Sequence, residues 1–292
     1  MIIGENREAV IANIKSAAES GDFHVKVELG DPVLSDAEKN EIVQRYLARR
    51  KTASYHTKSF VARQLANAAT YALNRDTEID GLEKAAAVRG GAILTSNHFG
   101  PVDNTVVRHL TKKLGKKRIN IVSQETNLAM TGVFGFLMNY ADIIPITGNL
   151  HYIRSDFPAV LEELLTKEEF ILIYPEQEMW FNYRKPRPPM PGAYHYAAKF
   201  GVPILSCFVE MRDKTKTDTD AFLQVQYVMH VLEVLYPDPE KSVRENTEAM
   251  RARDYALKKA AYEEAYGKPL TYTFENSDIA GWIAEGADEK RA

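Results

Sequence analysis

Gly90-Gly91-Ala92-Ile93-Leu94-Thr95-Ser96-Asn97-His98-Phe99-Gly100-Pro101-Val102-Asp103 is the stretch on which the fold turns. Ala92 to Leu94 form a short apolar run after a diglycine, and Asn97, Gly100 and Pro101 then break the pattern, as at the mouth of a sheet. Such strand-end loops carry function. His98 precedes Asp103 by five positions. A helix starting near Asp103 would let the carboxylate reach an imidazole nitrogen and fix its tautomer, making His98 a general base. The competing reading makes Asp103 only the cap of a helix from Asn104 to Leu114, and His98 a hydrogen-bonded loop residue.

Working outward, strands and helices alternate at short spacing after Glu78-Ile79-Asp80-Gly81, which argues for an α/β architecture with parallel strands. Strands are expected at Ala92–Thr95, Ile119–Ser123, Ile143–Ile146, Phe170–Tyr174, Ile204–Glu210 and Leu223–Val228, and helices at 104–114, 130–140, 156–166 and 192–200. Upstream, 5–20 reads as an amphipathic helix stopped by Gly21, and Phe23–Leu29 alternates like a strand. Ser35-Asp36-Ala37-Glu38 has the form of a capping box opening a helix through Arg50, and a second helix runs from Ser54 to Asn74. In that second helix Phe60, Leu65, Ala69 and Leu73 share a face, suited to packing on a sheet or to a lipid interface, and packing is the reading adopted. Ser242 to Tyr266 is helical. The expected organisation is a helical segment, 1–78, packed on an α/β domain, 79–292, whose mixed, largely parallel sheet is flanked by helices and followed by a C-terminal helix.

A formal charge of -3 over 292 residues speaks against nucleic acid as the main partner. Cys207 is the only cysteine and lies in an apolar segment, so no internal disulfide is available and a reducing compartment is expected. Glu5, Arg7, Glu8 and Lys15 interrupt the first residues, unlike a signal peptide, and no apolar run is long enough for a membrane span. The expectation is a cytoplasmic protein with, at most, peripheral contact on the inner face of a membrane. His109, His151, His195 and His230 fall in no metal-binding spacing, and no metal site is expected.

Three further strand ends invite chemistry. Ile143 to Ile146 leads through Gly148 to Arg154, whose guanidinium fork matches phosphate, unless it is simply a surface arginine near a helix start. Phe170-Ile171-Leu172-Ile173-Tyr174-Pro175-Glu176 ends an apolar strand in a carboxylate, which can accept from a substrate hydroxyl, tie two loops together, or stand in solvent. Next comes the basic, proline-stiffened loop Tyr183-Arg184-Lys185-Pro186-Arg187-Pro188-Pro189, suited in charge to an anionic substrate or lipid headgroups. Val202-Pro203-Ile204 opens another strand after a glycine helix stop at Gly201.

Taken in order, these stretches resemble the glycerolipid acyltransferase family typified by bacterial lysophosphatidic acid acyltransferases. Its Asn-His-x4-Asp block is matched by Asn97, His98 and Asp103, its Gly-to-Arg block by Gly148 and Arg154, and its Val-Pro-Ile strand by Val202, Pro203 and Ile204. Its Phe-Pro-Glu-Gly-Thr-Arg-Ser block is matched by Tyr174, Pro175 and Glu176 and then diverges. The likeness spans about residues 80 to 235. It implies a phospholipid-biosynthetic transferase that moves a fatty acyl group from acyl-CoA or acyl-carrier protein to the free hydroxyl of a lysophospholipid, with no permanently bound cofactor. His98 would take the hydroxyl proton, Asp103 would orient it, and no acyl-enzyme would form. Substrate contacts would fall to Asn97, Gly148, Arg154 and Glu176.

The family arginine that helps hold the acceptor's phosphate is replaced here by Met179. Either the acceptor differs, a sugar or glycerol derivative for instance, or Arg184 and Lys185 substitute with help from Arg154. Two readings outside acyl transfer share these residues: a non-catalytic lipid- or acyl-carrier-binding protein, and hydrolysis of an acyl thioester by water.

Overall fold

A computed structural model describes residues 6–30 and 32–283. The N-terminal helices are α1 (Arg7–Ser20), α2 (Asp36–Arg49) and α3 (Ala53–Leu73). The α/β part runs β1 (Glu78–Asp80), α4 (Leu82–Ala86), β2 (Ala92–Thr95), α5 (Asn104–Lys113), β3 (Ile119–Gln124), α6 (Gly132–Tyr140), β4 (Ile143–Ile146), α7 (Leu150–Arg154) and α8 (Asp156–Thr166). It continues through β5 (Phe170–Leu172), α9 (Gly192–Phe200), β6 (Ile204–Thr219), β7 (Phe222–Leu235) and α10 (Val243–Tyr266). The strands form one seven-stranded sheet in the order β1-β7-β6-β2-β5-β3-β4. Every pairing is parallel except that of β6 with β7, so the fold is the mixed, largely parallel α/β sheet expected.

β2 lies at the centre, with Ile93 opposite both Ile171 of β5 and Ile204 of β6. Its side chains alternate between two cores. Leu94 packs with Val106, Leu110 and Leu172 on one face, and Ile93 packs with Leu161, Ile171 and Tyr194 on the other. Both faces being covered, the strand is apolar throughout. The diglycine before it is sterically required: Gly90 has φ +79°, and a Cβ on Gly91 would sit 2.5 Å from the Leu165 carbonyl oxygen.

The capping box forms as expected, with the Ser35 N–H donating to Glu38 Oε2 at 2.8 Å and the Glu38 N–H returning to Ser35 Oγ at 3.4 Å. Phe23–Leu29 is not a strand but a turn and an irregular segment. Its carbonyls are taken by side chains instead of a sheet neighbour: Phe23 accepts from Arg187, Val25 from Trp180 and Val27 from Asn13. α3 also corrects the expectation. Its inward residues are Ser59, Ala62 and Thr70, while Phe60 and Leu65 remain 58% and 47% exposed. Small residues let α3 lie close on α5 and α6, which turns the larger apolar side chains outward. Among the described residues no helix is long and apolar enough to cross a membrane.

Candidate active site

Parallel strands deliver their following loops to one edge of the sheet, where binding sites of open α/β folds form. β2 and β5 are neighbours, so the loops holding His98 and Glu176 meet there. The His98 ring nitrogen Nδ1 lies 2.7 Å from Asp103 Oδ2. An ionised carboxylate only accepts, so Nδ1 carries the proton in this bond and Nε2 of the neutral ring is left with its lone pair. The His98 side chain keeps 21% of its surface open, whereas that of Asp103 keeps 2%.

Asp103 precedes α5 but gives the helix no side-chain cap. Its Oδ2 accepts also from the N–H groups of Phe99 and Gly100, at 2.9 and 3.2 Å, and its Oδ1 from the Tyr174 hydroxyl at 2.7 Å. Of the two readings open at the sequence level, this geometry is that of a carboxylate orienting the imidazole. Tyr174 also stacks on His98, ring centroids 4.0 Å apart and planes 8° from parallel. Burial, followed by the nearby Asp103 charge, pushes the Tyr174 hydroxyl well above its ordinary pKa, so it remains a donor.

Glu176 is buried and ties loops together. Its Oε2 accepts from the His98 N–H at 3.2 Å, and its Oε1 from the Arg187 N–H at 2.9 Å. The Arg187 guanidinium donates to Oε2 through Nε at 3.2 Å and Nη2 at 2.9 Å. Arg187 also donates to the carbonyls of Phe23 and Glu178 and lies 4.5 Å over the Trp180 ring. The Trp180 and Asn182 N–H groups donate to the carbonyls of His98 and Phe99, at 3.1 and 2.8 Å. The loop after β5 thus clamps the His98 backbone from outside. Within it Gln177 adopts φ +66°, a conformation that suits the glycine of the family block.

Among the described residues, the other expected substrate contacts make no hydrogen bond to His98 or Asp103. Asn97 is 1% exposed. Both ends of its amide are taken by Val209, the Nδ2 donating to the carbonyl at 3.0 Å and the Oδ1 accepting from the N–H at 2.8 Å. Gly148 and Arg154 are exposed beyond β4. Arg184 pairs with Asp213 and donates to the Ser277 carbonyl at 2.7 Å. Lys185 is 2% exposed and pairs with Asp278 at 2.6 Å. Cys207 is buried, its thiol pushed up to about 12 by desolvation. The residues that the sequence did not single out for a role are Tyr174 and Arg187. Tyr174 had a signal, since it ends an apolar strand immediately before the proline and glutamate of a block.

Residues 76–210 match the acyltransferase family model. No curated protein matches the chain. Among solved structures, one that it resembles is the crystal structure of the 1-acyl-sn-glycerophosphate acyltransferase PlsC from Thermotoga maritima, at 14% identity, with 89% of this chain and 99% of that chain covered and a TM-score of 0.49. The matched segment contains His98 and Asp103, Gly148 and Arg154, Glu176, and Val202 to Ile204, and over these residues the chain is similar to the acyltransferase family.

Proposed function

We propose that the chain transfers a fatty acyl group from acyl-CoA or acyl-carrier protein to the free hydroxyl of a monoacylated glycerolipid, with His98 as general base and Asp103 as its orienting carboxylate. The observation that carries this reading is the His98 Nδ1 to Asp103 Oδ2 bond of 2.7 Å. A hydroxyl is a poor nucleophile at neutral pH. Transfer of its proton to Nε2 as oxygen attacks the thioester carbonyl avoids an oxonium intermediate, and Asp103 stabilises the imidazolium that forms. Collapse of the tetrahedral adduct breaks the C–S bond, and the leaving thiolate recovers the proton from Nε2.

Peripheral membrane contact fits the same reading. Phe60, Leu65 and Tyr71 of α3 are exposed, as are Val133 and Phe134 of α6, and the two helices pack together. From Ile42 to Arg75 the sequence holds no acidic residue, which suits an anionic lipid surface.

The test is incubation of purified protein with labelled acyl-CoA or acyl-carrier protein and a panel of monoacylated lipids, alongside His98→Ala and Asp103→Asn. Acylated lipid is expected from the wild type. His98→Ala should lose ~10²–10⁴-fold in kcat while remaining folded. Full activity in His98→Ala would remove the base from its role, and release of free fatty acid without acylated lipid would point to hydrolysis.

A further inference from the structure

The two carboxylate oxygens of Asp103 have different partners. Oδ2 accepts from His98 Nδ1 at 2.7 Å and from the Phe99 and Gly100 N–H groups at 2.9 and 3.2 Å. Among the described residues, Oδ1 accepts only from the Tyr174 hydroxyl, at 2.7 Å. Two backbone donors therefore hold the carboxylate in place even without Tyr174, and the hydroxyl contributes something besides anchorage. A donor on one oxygen draws negative charge towards itself and leaves less of it for a cation on the other. With the Asp103 side chain only 2% exposed, little water screens that difference.

Tyr174 is placed to keep this contact. It stands just beyond β5, with its ring flat on the His98 imidazole at 4.0 Å and 8°. The family block usually has Phe at this position, a ring that could stack in the same way, so the hydroxyl is what Tyr174 adds. The other titratable and charged groups around His98 come from three directions. Glu176, which accepts from the His98 N–H, is paired with Arg187 in the loop after β5. Tyr227 of β7 packs on Phe99, ring centroids 5.3 Å apart, and burial, followed by the Asp103 charge, raises its hydroxyl so that it stays neutral. From the N-terminal segment, His24 Nδ1 lies 3.4 Å from the Glu176 carbonyl oxygen. Of these neighbours, Tyr174 alone donates through its side chain to the carboxylate that His98 uses.

On the acyl-transfer reading above, we propose that Tyr174 is a positioning residue that acts on His98 through Asp103, weakening the hold of the carboxylate on the imidazolium so that His98 stays a free base to lower pH. The sign follows from the protonated state: with the hydroxyl bonded to Oδ1 the imidazolium is less stabilised, and it gives up its proton under more acidic conditions.

The test is Tyr174→Phe, which keeps the ring and removes the hydroxyl. The acid limb of kcat/KM against pH, measured with labelled acyl-CoA and a monoacylated lipid, should move up by about 0.5–1 unit, lowering turnover about three- to tenfold well below the limb and leaving the plateau little changed. The titration of the His98 ring protons, followed by NMR and assigned by their loss in His98→Ala, should move the same way. That measurement needs no turnover. A wild type that acylates no lipid would refute the transfer reading, and the NMR shift would still decide the coupling. In an Asp103→Asn background Tyr174→Phe should move the titration much less, because the effect passes through the carboxylate charge. A limb and a titration that stay where they are in Tyr174→Phe would overturn the proposal, even with a lowered thermal midpoint. A ~10²–10³-fold loss of kcat at every pH with an unmoved limb would also overturn it, making the hydroxyl a donor to the reacting oxygen. So would a shift to lower pH, the mark of a residue that merely holds Asp103 in place.

Discussion

Arg187 shows how one buried cation can be tied, through a shared carboxylate, to the backbone of His98, the proposed base, which it does not touch. Its guanidinium and its own N–H fill three of the contacts to the Glu176 carboxylate, and a fourth comes from the His98 N–H. Removing the cation leaves a buried carboxylate unpaired, which costs about 3–5 kcal/mol, whereas removing both charges costs much less. Arg187→Met is therefore expected to lower the thermal midpoint sharply, and the double variant Arg187→Met with Glu176→Gln to recover much of the loss. If the double variant is no more stable than the single one, the pairing is not what holds the loop. This contact was out of reach of the sequence. Arg187 lies 11 residues from Glu176 among prolines and other cations, and nothing in spacing separates it from Arg184 and Lys185, which turn to Asp213 and Asp278. His98 and Asp103 were legible because they are local: one strand end and the following helix start set their separation. Asn97 was legible as a member of a block, but its engagement by Val209, 112 positions away, required the fold.

At the scale of elements, the strands on both sides of His98 were legible because both faces are buried, so apolar runs bounded by Gly and Pro mark them. The sequence reading stopped β6 at Glu210, one residue before burial ends at Met211, but the strand continues to Thr219 as an exposed hairpin arm paired with β7. Pairing there is sustained by the backbone ladder and leaves no hydrophobic signature. α3 failed for the opposite reason. Its hydrophobic residues were read as the packed face, yet close approach to α5 and α6 selects Ser59, Ala62 and Thr70, and the apolar side chains are left outside. An exposed apolar patch on an acid-free stretch predicts lipid binding. Phe60→Ser with Phe134→Ser should reduce co-sedimentation with phosphatidylglycerol-containing vesicles, and added salt should weaken the wild-type binding. Undiminished binding of the double variant would remove this face from membrane contact. Neither residue is buried, so the fold should tolerate both changes.

Across the whole molecule, the C-terminal helix is fastened to the central strand by a buried charge cluster. Asp254 of α10 is 0% exposed and Lys258, one turn on, is 3% exposed, their contact being 2.6 Å. Thr95, the last residue of β2, donates to both Asp254 oxygens at 3.1 Å and accepts from Lys258 Nζ at 3.0 Å, and the Tyr194 hydroxyl of α9 donates to Asp254. Burial and the Asp254 charge raise the Tyr194 hydroxyl well above its ordinary pKa, which keeps it a donor. The cluster thus joins α9, α10 and β2 on the face of the sheet opposite α5, three residues before His98 in the chain. Asp254→Ala strands Lys258 without its partner and should cost about 3–5 kcal/mol, or roughly 10 °C in the midpoint of a protein of this size. Asp254→Leu with Lys258→Met removes both charges and should recover most of that loss. Because the cluster touches no reacting group, the double variant should keep its KM for the lipid acceptor, and calorimetry with acylation kinetics on the same preparations checks both statements. A double variant as unstable as Asp254→Ala would mean that hydrogen bonding to Thr95 and Tyr194, and not the ion pair, fastens α10 to the sheet.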